Sequence, residues 1–544
     1  MIQDDTGAGP GEGHRPAPAP SPATHGAASR GQGPSPALPW APPRDASWLG
    51  RPVRELVRRP PVTCPPELTI AEAARRMQAH GVGSVVIVDG NECPVGIVTD
   101  RDLRAKVVAG GVAPAEPVAR IMSAPLETVA PQTPAIEALL TMLRLNVHHL
   151  PVVEAPAGAA YGAGGGEPAR VRLVGVVSSN DFVGVRDVRP LHLLREIEQA
   201  QSLAELHVRV GQLSEVVRRL VEDGAWAVDV ARITAELHDG VVRRVLKLTE
   251  HELASEGFGE PPGPYCWLAL GSEGRREQTL KTDQDNALVY ERLPGLPEWG
   301  LERYFRELAN RAVQGLIRLG FPPCPAQIMA SNPTWCQSLD VWKGYFSRWV
   351  RQSSTRDLLM ASIFFDFRPV WGDAGLAAAL HAHLRAEVAA WRAFLRLMAW
   401  TAVYTGPPLG LFGRIVTPRL GPHRGSVDLK LQGMLPLVSG VRVYALELGL
   451  PATNTVERVQ QAAEAGGRFQ RAEAEELAAA YEVLTRLRLR QQLADLQAGR
   501  QPDSRVVVRA LNRADRAALR EAFLTIQRLQ DGLRSRYLTE ALYG

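Results

Sequence analysis

The chain has 544 residues, of which 45% are apolar and 22% charged, and its formal net charge is +4. This length allows three or four domains, and so small a charge gives no electrostatic reason to expect nucleic acid or an anionic membrane as a partner. The five cysteines form no CxxC pair, which excludes the usual zinc-site and disulfide patterns. Neither a signal peptide nor an apolar run of about 20 residues is found, so a cytoplasmic protein is predicted.

The texture of the sequence changes along the chain and predicts an α+β multidomain protein. The first residues are rich in Pro, Gly, Ala and Ser, which is typical of a disordered tail. Short β-rich runs then alternate with helical ones, and segments of purely helical, mixed and again mostly helical spacing follow. The predicted segments are a tail at 1–48, a repeat region at 49–187, helices at 188–253, a mixed domain at 254–349 and a C-terminal helical domain at 350–544.

Two stretches within the repeat region share the order strand–helix–strand–strand–helix. Each ends where a strand runs into a helix through a hydroxyl and an acid three residues apart, Thr99 with Asp102 and Ser178 with Asp181. At such a helix start the hydroxyl and free N–H groups can hold a phosphate, and the acid can accept hydrogen bonds from ribose. The alternative is a simple N-cap with a favourable helix-dipole charge. Because the pattern occurs twice, we favour ligand binding.

The repeats resemble a tandem of cystathionine β-synthase (CBS) domains, which would cover about a quarter of the chain. The resemblance implies a pseudo-symmetric disc with clefts for AMP, ADP or ATP, whose ribose and phosphate contact Thr99, Asp102, Ser178 and Asp181. It also implies a homodimer formed through the CBS pair. A Gly/Ala-rich insertion at 158–169 separates two strands of the second repeat and departs from the family pattern.

A second constellation lies between two apolar strands. Gly271 and Ser272 form a turn after the first strand, and Asp283 and Asp285 precede the second. Such a turn lets backbone N–H groups and a hydroxyl approach a triphosphate, and carboxylates at i and i+2 of an extended chain point the same way. Both acids could therefore bind Mg²⁺ that bridges nucleotide phosphates. The alternative is an ordinary polar loop, but the order and spacing favour a nucleotide site.

Arginines close to the turn are predicted to assist. Arg275 and Arg276 follow it directly, and guanidinium groups suit phosphate oxygens. The His148–His149 pair is interpreted as packing, because no partner ligands have the spacing of a metal site. Trp335, Trp342 and Trp349 are about seven residues apart and fall on one stripe of a helix, so they are interpreted as interdomain packing residues and not as a base-stacking platform.

The Gly-Ser and Asp-x-Asp segment resembles the nucleotidyltransferases of DNA polymerase β type, closest to the PII-protein uridylyltransferase branch. The whole chain resembles bacterial CBS-domain signalling proteins of the DUF294 nucleotidyltransferase family. These resemblances imply a polymerase-β-like α/β core followed by a helical domain, and an NTP substrate. The analogy with the uridylyltransferases implies a protein acceptor.

That superfamily usually supplies a third carboxylate from a later strand, and two residues are candidates. Asp366 lies in a window that is equally readable as a buried helix, where a pair with Arg368 would be structural. Asp428, followed by Lys430, lies between helix breakers and could be on a short strand facing the cleft. We favour Asp428 slightly, with a structural salt bridge as the alternative for either acid.

Three functional hypotheses follow from the sequence. The first is a transferase that moves a nucleotidyl group from an NTP to an acceptor, with Mg²⁺ on Asp283 and Asp285, under control of adenine nucleotides at the CBS pair. The second is a non-catalytic nucleotide sensor with a degenerate transferase domain, for which the absent third carboxylate is the cue. The third is a protein whose CBS ligands mainly control oligomerisation.

Overall fold

The computed structural model of this protein describes residues 38, 47–154, 171–184, 190–280, 283–293, 295, 298–465 and 467–538. Most of the predicted tail and the Gly/Ala-rich insertion at 158–169 therefore lie outside the described residues. Within them the architecture is mixed α+β, as predicted. None of the helices in these ranges combines the length and the apolar character needed to cross a bilayer.

The first repeat is a three-stranded sheet with helices against it. Strand β1 pairs in parallel with β2, and β2 pairs antiparallel with β3. Helix α1 begins at a capping box formed by Thr69 and Glu72 and ends at Gly81, whose φ is +61°. The elements are β1 (Thr63–Cys64), α1 (Ile70–His80), β2 (Ser84–Val88), β3 (Pro94–Thr99) and α2 (Asp100–Asp102), which a π-helical stretch at Leu103–Ala109 extends.

The second repeat has the same order of elements with a reduced first strand. The predicted first strand of this repeat is a single parallel bridge between Val129 and Val152, since Pro125 and Pro131 beside it have no N–H to donate. Its remaining elements are α3 (Ala135–Leu145), β4 (His149–Glu154), β5 (Arg172–Ser178) and a 3₁₀ turn at Ser179–Gly184, with β4 and β5 antiparallel.

The segment after the repeats is helical, as its spacing predicted. Helix α7 is the longest of its helices, and its N-terminus is capped from a distance rather than by its own N-cap side chain. The helices are α4 (Pro190–Gln199), α5 (Leu203–Val210), α6 (Leu213–Glu222) and α7 (Ala227–Ser255).

The mixed domain is built on a four-stranded sheet in the order β8-β7-β6-β9. Strand β6 lies between β7 and β9 and is antiparallel to both, while β8 is parallel to β7. The elements are β6 (Tyr265–Ala269), α8 (Gly271–Gly274), β7 (Asn286–Tyr290), α9 (Glu298–Arg318), β8 (Cys336–Ser338), α10 (Leu339–Gln352), α11 (Thr355–Phe364) and β9 (Arg368–Gly372).

Strand β9 extends this sheet beyond residue 349, where the sequence pattern ended the mixed domain. The window around Asp366 is therefore not one buried helix, because α11 ends at Phe364 and the chain turns into β9. Trp335, Trp342 and Trp349 pack against one another, with ring centroids 6.1–6.4 Å apart around Trp335. They are packing residues, as predicted, but these ring contacts lie within the mixed domain and not between domains.

The C-terminal domain is mostly helical, with one two-stranded antiparallel ribbon. The side chain of Asn512 caps its last long helix by accepting from the N–H of Asp515. The elements are α12 (Ala374–Ala390), α13 (Ala393–Tyr404), β10 (Ser426–Asp428), a π-helical turn (Lys430–Met434), α14 (Leu435–Leu448), α15 (Thr455–Glu464), α16 (Arg471–Gln497), β11 (Arg505–Val507) and α17 (Arg513–Leu533).

Helix α7 contacts the second repeat, the mixed domain and the C-terminal domain. It packs against α3 of the second repeat, against α9 and β9 of the mixed domain, and against α16 of the C-terminal domain. Near its middle, Asp239 forms a buried ion pair with Arg368 at the start of β9, with 2.7 Å between Oδ1 and Nη2. A displacement of the repeats therefore has a direct packing route to the central sheet.

Candidate functional site

The hydroxyl and acid of the first repeat bond to each other. Thr99 caps α2, its hydroxyl donates to Asp102 Oδ2 at 2.7 Å, and its N–H donates to the same oxygen at 3.0 Å. The other oxygen of Asp102 is 2.9 Å from Lys106 Nζ. Burial acts to raise the pKa of Asp102, but hydrogen bonds from Lys106 and Thr99 outweigh it and lower that pKa. Thr99 therefore does act as an N-cap, and Asp102 is ionised at neutral pH.

The second repeat reproduces this pair. The hydroxyl and the N–H of Ser178 both lie 2.7 Å from Asp181 Oδ2. His149 sits between the two repeats, since Asp100 and Asp181 both act on its charge, while burial and His148 lower its pKa. A methyl group on Gly83 of the first repeat would lie 3.4 Å from His149 Nε2. The structure thus brings Asp181 near the first repeat, and it places His149, which the sequence marked only as a packing residue, at this seam.

The Gly-Ser turn is built against the strand that carries the acids. Leu270 caps α8, and its N–H donates to the carbonyl of Asp285 at 2.9 Å. Gly271 has φ +54°, and a Cβ there would meet Asp285 Oδ2 at 3.3 Å. A Cβ on Gly274 would lie 1.7 Å from the carbonyl oxygen of Asp366. Glycine is therefore required at both ends of this turn, and the turn and Asp285 share one small space.

The two acids of the Asp-x-Asp motif differ in exposure. Asp283 is exposed and Asp285 is half-buried. Burial raises the pKa of Asp285 and the charge of Asp283 adds to this, while a hydrogen bond from Cys324 and the charge of Lys430 oppose it. Lys430 comes from the C-terminal domain. The charge of a lysine from a different segment of the chain therefore acts on the pKa of Asp285.

Both predicted phosphate-binding arginines have internal partners. Arg275 Nε is 2.6 Å from Glu277, and its Nη1 is 2.8 Å from Asp366. Arg276 has φ +55° and lies 3.3 Å from Glu236 on α7. These contacts favour a structural role for both arginines, and their role as phosphate clamps stays a prediction.

Asp366 is fully buried among arginines. Its carboxylate lies 2.6 Å from Arg442 Nη2 on α14, 2.7 Å from Arg458 Nη1 on α15 and 2.8 Å from Arg275 Nη1. Burial alone would raise the pKa of Asp366, but the three guanidinium groups hold it well below its usual range. The pairing with Arg368 suggested by the sequence is wrong, because Arg368 pairs with Asp239 instead.

Asp428 also has structural partners. It lies at the end of β10, its carboxylate is 3.3 Å from Arg505 Nη2 on β11, and it accepts the N–H of Leu431 at 3.0 Å. The side chain whose charge reaches Asp285 is Lys430, two residues later. These contacts favour the salt-bridge alternative for Asp428, whose catalytic role stays a prediction.

Glu273 also lies at the site, but apart from its position in the Gly-Ser turn nothing in the sequence indicated it. Glu273 on α8 is half-buried, and burial together with the charges of Asp285 and Asp239 raises its pKa to about 8. It is therefore protonated at neutral pH and adds no charge to the acidic pair. A cavity behind the turn, lined by Glu273, Gln278 and His238 among others, holds about 20 Å³ and has no room for a nucleotide.

Asp283 and Asp285 are suitable ligands for Mg²⁺ but do not complete a protein-only metal site. No group of three or more His, Cys, Asp or Glu side chains that could hold a metal occurs in the described ranges. Mg²⁺ in phosphoryl-transfer sites is typically held by one or two carboxylates plus substrate phosphates. The pair fits that arrangement, because Gly271 leaves open backbone beside Asp285.

Comparison with known proteins places three family profiles along the chain. The CBS domain profile matches residues 53–109 and 118–186, "Putative nucleotidyltransferase DUF294" matches 211–356, and "Putative nucleotidyltransferase substrate binding domain" matches 392–537. The three matches fall on the two repeats, on the helices and sheet around Asp283 and Asp285, and on the C-terminal domain.

Individual relatives match mainly the repeats. The uncharacterized protein MK0525 of Methanopyrus kandleri is 35% identical over 27% of this chain and 69% of its own length. The CBS domain-containing protein CBSCBSPB5 of Arabidopsis thaliana is 40% identical, but the chain covers only 17% of that relative. The solved CBS domain protein PAE2072 of Pyrobaculum aerophilum, complexed with AMP, is 29% identical over 25% of this chain and 92% of its own, with a TM-score of 0.21.

Proposed function

Because the chain belongs to the CBS-domain proteins that carry the DUF294 nucleotidyltransferase domains, we propose that it transfers a nucleotidyl group from an NTP to a protein acceptor. An acceptor hydroxyl oxygen bonds to the α-phosphorus, the bond to the bridging oxygen breaks, pyrophosphate leaves, and the hydroxyl proton passes to solvent. The observation that carries this proposal is the Gly271 turn set directly against Asp285, with Asp283 exposed beside it.

The residues of the chain would divide the work as follows. Backbone N–H groups at the start of α8 would orient phosphate oxygens, and Asp283 and Asp285 would hold Mg²⁺. Bound Mg²⁺ would offset charge on the phosphates and on the leaving pyrophosphate. Lys430 would limit the repulsion between the acids and the incoming nucleotide, and neutral Glu273 would add none.

The test is transfer of label from α-³²P-labelled NTPs to protein in a lysate of the source cell. We expect labelling by the wild-type chain with Mg²⁺, and at least ~100-fold less by Asp283→Ala/Asp285→Ala, because carboxylate-held charge stabilisation is lost. Asp340→Ala, an exposed acid on α10, is the matched control and should label normally. Equal labelling by all three proteins would overturn the assignment.

We further propose that adenine nucleotides bind between the CBS repeats and bias the transferase through α7. The Thr99–Asp102 and Ser178–Asp181 pairs support the binding, and the packing of α7 on both α3 and β9 supports the coupling. Addition of AMP should change the labelling rate of the wild type and leave that of Asp102→Ala/Asp181→Ala unchanged. The homodimer predicted through the CBS pair is tested by sedimentation of the full chain.

A non-catalytic nucleotide sensor is the second candidate. It is favoured by the arginine partners of Asp366 and by the Arg505 partner of Asp428, which leave the acidic pair without an uncommitted third carboxylate in the described part of the chain. Calorimetry with Mg²⁺ and each NTP separates the two candidates. Nucleotide binding that is lost in Asp285→Ala, without labelling of any acceptor, would establish the sensor.

A further inference from the structure

The loop between α13 and β10, residues 405–425, has an unusual surface. Loops longer than about 12–15 residues without regular structure are usually functional, and this one contains only a 3₁₀ turn at Leu411–Gly413 and a bridge between Leu409 and Ile415. Three of its apolar side chains are almost fully exposed, Leu411 at 84%, Phe412 at 92% and Leu420 at 85%. Burying such side chains against a partner is favourable, so exposed apolar patches often mark binding sites.

The backbone of this loop is held in place while its side chains point outward. Phe412 has φ +61°, a left-handed conformation that costs energy for a bulky residue. Arg520 on α17 fixes it by donating from Nε to the carbonyl of Gly413 at 2.9 Å and from Nη2 to that of Phe412 at 3.3 Å. The exposed tip is therefore a built conformation, kept by contacts that do not bury it.

The ionisable side chains of the loop itself are all basic, whereas the neighbouring α17 contributes the ion pair of Arg520 with Glu521. The sequence contains no Asp or Glu from residue 388 to residue 427. The loop carries Arg414, Arg419 and Arg424, all exposed, and within the described ranges none of the three has an ion-pair partner. A positive surface without internal counter-charges attracts an acidic partner. The small net charge of the whole chain conceals this local concentration.

The loop leads directly into the candidate active site. It continues into β10, which ends at Asp428, and the next turn begins with Lys430, whose charge acts on Asp285. The loop also lies within 392–537, the residues that match the substrate binding domain profile. The loop is thus joined through β10 to the residue whose charge acts on Asp285.

We propose that the 405–425 loop binds the acceptor of the transfer reaction, through a protein segment in which acidic residues flank apolar side chains. This inference rests on the proposed function. A protein is favoured over a nucleic acid because the aliphatic side chains Leu411, Val416 and Leu420 gain little from phosphates or base edges. A protein is favoured over a lipid surface because the loop leads to an active site that must stay open to its acceptor.

The experiment measures binding of the full chain to a fluorescein-labelled peptide in which glutamates alternate with leucines, by fluorescence anisotropy. Affinity should fall at least about tenfold in Leu411→Ser/Phe412→Ser and in Arg414→Gln/Arg419→Gln/Arg424→Gln, since a few residues carry most of the binding energy of an interface. The matched controls are Val108→Ser, 81% exposed on the first repeat, and Arg58→Gln/Arg59→Gln/Arg75→Gln, which should bind normally.

Both loop variants should retain the wild-type Tm and wild-type affinity for Mg²⁺ with NTP, so that loss of folding is excluded. No binding of the peptide by the wild type, or equal binding by loop and control variants, overturns the proposal. Loop-dependent binding to phosphatidylglycerol vesicles in place of the peptide overturns it in favour of a membrane surface.

Failure of the proposed function gives a different result. If the loop binds the peptide but no acceptor is labelled, the docking surface stands and the transferase proposal fails. If acceptors are labelled and the loop variants label them at the wild-type rate, the transferase stands and the loop proposal fails.

Discussion

Two aspartates at one end of the central sheet, Asp285 and Asp366, have opposite pKa shifts. Asp285 precedes β7 and Asp366 precedes β9, and both strands pair with β6, so the two acids flank the turn that follows β6. Asp285 is half-buried, and its pKa is raised by burial. Asp366 is fully buried, and three arginines lower its pKa. Position in the sheet alone would make either acid a candidate for catalysis.

The difference comes from the C-terminal domain. It supplies Arg442 and Arg458 to Asp366 but places only Lys430 near Asp285. A carboxylate bound by several guanidinium groups has few lone pairs left for a metal ion, whereas Asp285, which accepts one hydrogen bond from Cys324 and no guanidinium ion pair, keeps more of them. Availability for chemistry is thus set by partners that lie far away in sequence.

The largest effect is expected from Asp366→Ala. Removing one partner of a buried ion cluster leaves uncompensated charge, so the free energy of unfolding should fall by ~3–5 kcal/mol, as measured by urea denaturation. Asp283→Ala, at an exposed acid, should change it by less than ~0.5 kcal/mol. Similar losses for the two variants would show that Asp366 is not the structural acid of the pair.

A smaller loss is expected at the ion pair that joins α7 to β9. Arg368→Met leaves Asp239 buried without its cation and should destabilise the chain by ~2–4 kcal/mol. The double variant Asp239→Leu/Arg368→Met removes both charges and should recover most of this loss, within ~1 kcal/mol of the wild type. If the double variant is less stable than Arg368→Met, the two residues do not act mainly as partners of one ion pair.

The local parts of the site could be predicted from the sequence. The turn at Gly271 and the strand after Asp285 depend on glycine conformation and on alternation over a few residues, which the sequence displays directly. The hydroxyl–acid junctions at Thr99 and Ser178 were predictable for the same reason, and their repetition increased the weight of each.

The choice among later acids could not be predicted, because it depends on long-range contacts. Of the three arginines that bind Asp366, Arg442 on α14 and Arg458 on α15 lie 76 or more residues away, and Arg275 beside the Gly271 turn lies 91 residues away. Asp428 was favoured as the third carboxylate because it lies between helix breakers. Pairing of the three-residue strands β10 and β11 instead places Arg505 beside it. Such short strands have no periodicity that a sequence pattern could reveal.

Glu482 is a buried acid whose pKa is raised, in contrast to that of Asp366, which is lowered. Glu482 on α16 accepts the N–H groups of Ala227 at 3.1 Å and Val228 at 3.0 Å at the start of α7, and burial outweighs these bonds to raise its pKa to about 7. A raised folded-state pKa stabilises the fold below the unfolded value near 4.3, and this stability is lost as pH rises through 7.

Glu482→Gln should therefore remove this pH dependence. Relative to the wild type, its free energy of unfolding should increase by ~2 kcal/mol between pH 5 and pH 8, measured by urea denaturation at each pH. Glu464→Gln, at an exposed acid on α15, should follow the wild-type curve. If the free energies of unfolding of Glu482→Gln and the wild type change in parallel between pH 5 and pH 8, Glu482 is ionised over this whole range.

The smallest effect is expected on AMP affinity when the acids of the two CBS junctions, Asp102 and Asp181, are compared. Like Asp366 and Asp285, these two acids differ in how many of their oxygens are bound by other side chains. Lys106 engages the second oxygen of Asp102, whereas the described bonds of Asp181 all use Oδ2. Asp181 is therefore better placed to accept from ribose, and Asp181→Ala should weaken AMP about tenfold, or ~1.4 kcal/mol, against about threefold for Asp102→Ala. Calorimetry with the full chain measures both, with Glu127→Ala as the exposed control. A larger loss in Asp102→Ala would place the nucleotide at the first junction and show that a lysine partner does not withdraw an acid from ligand binding.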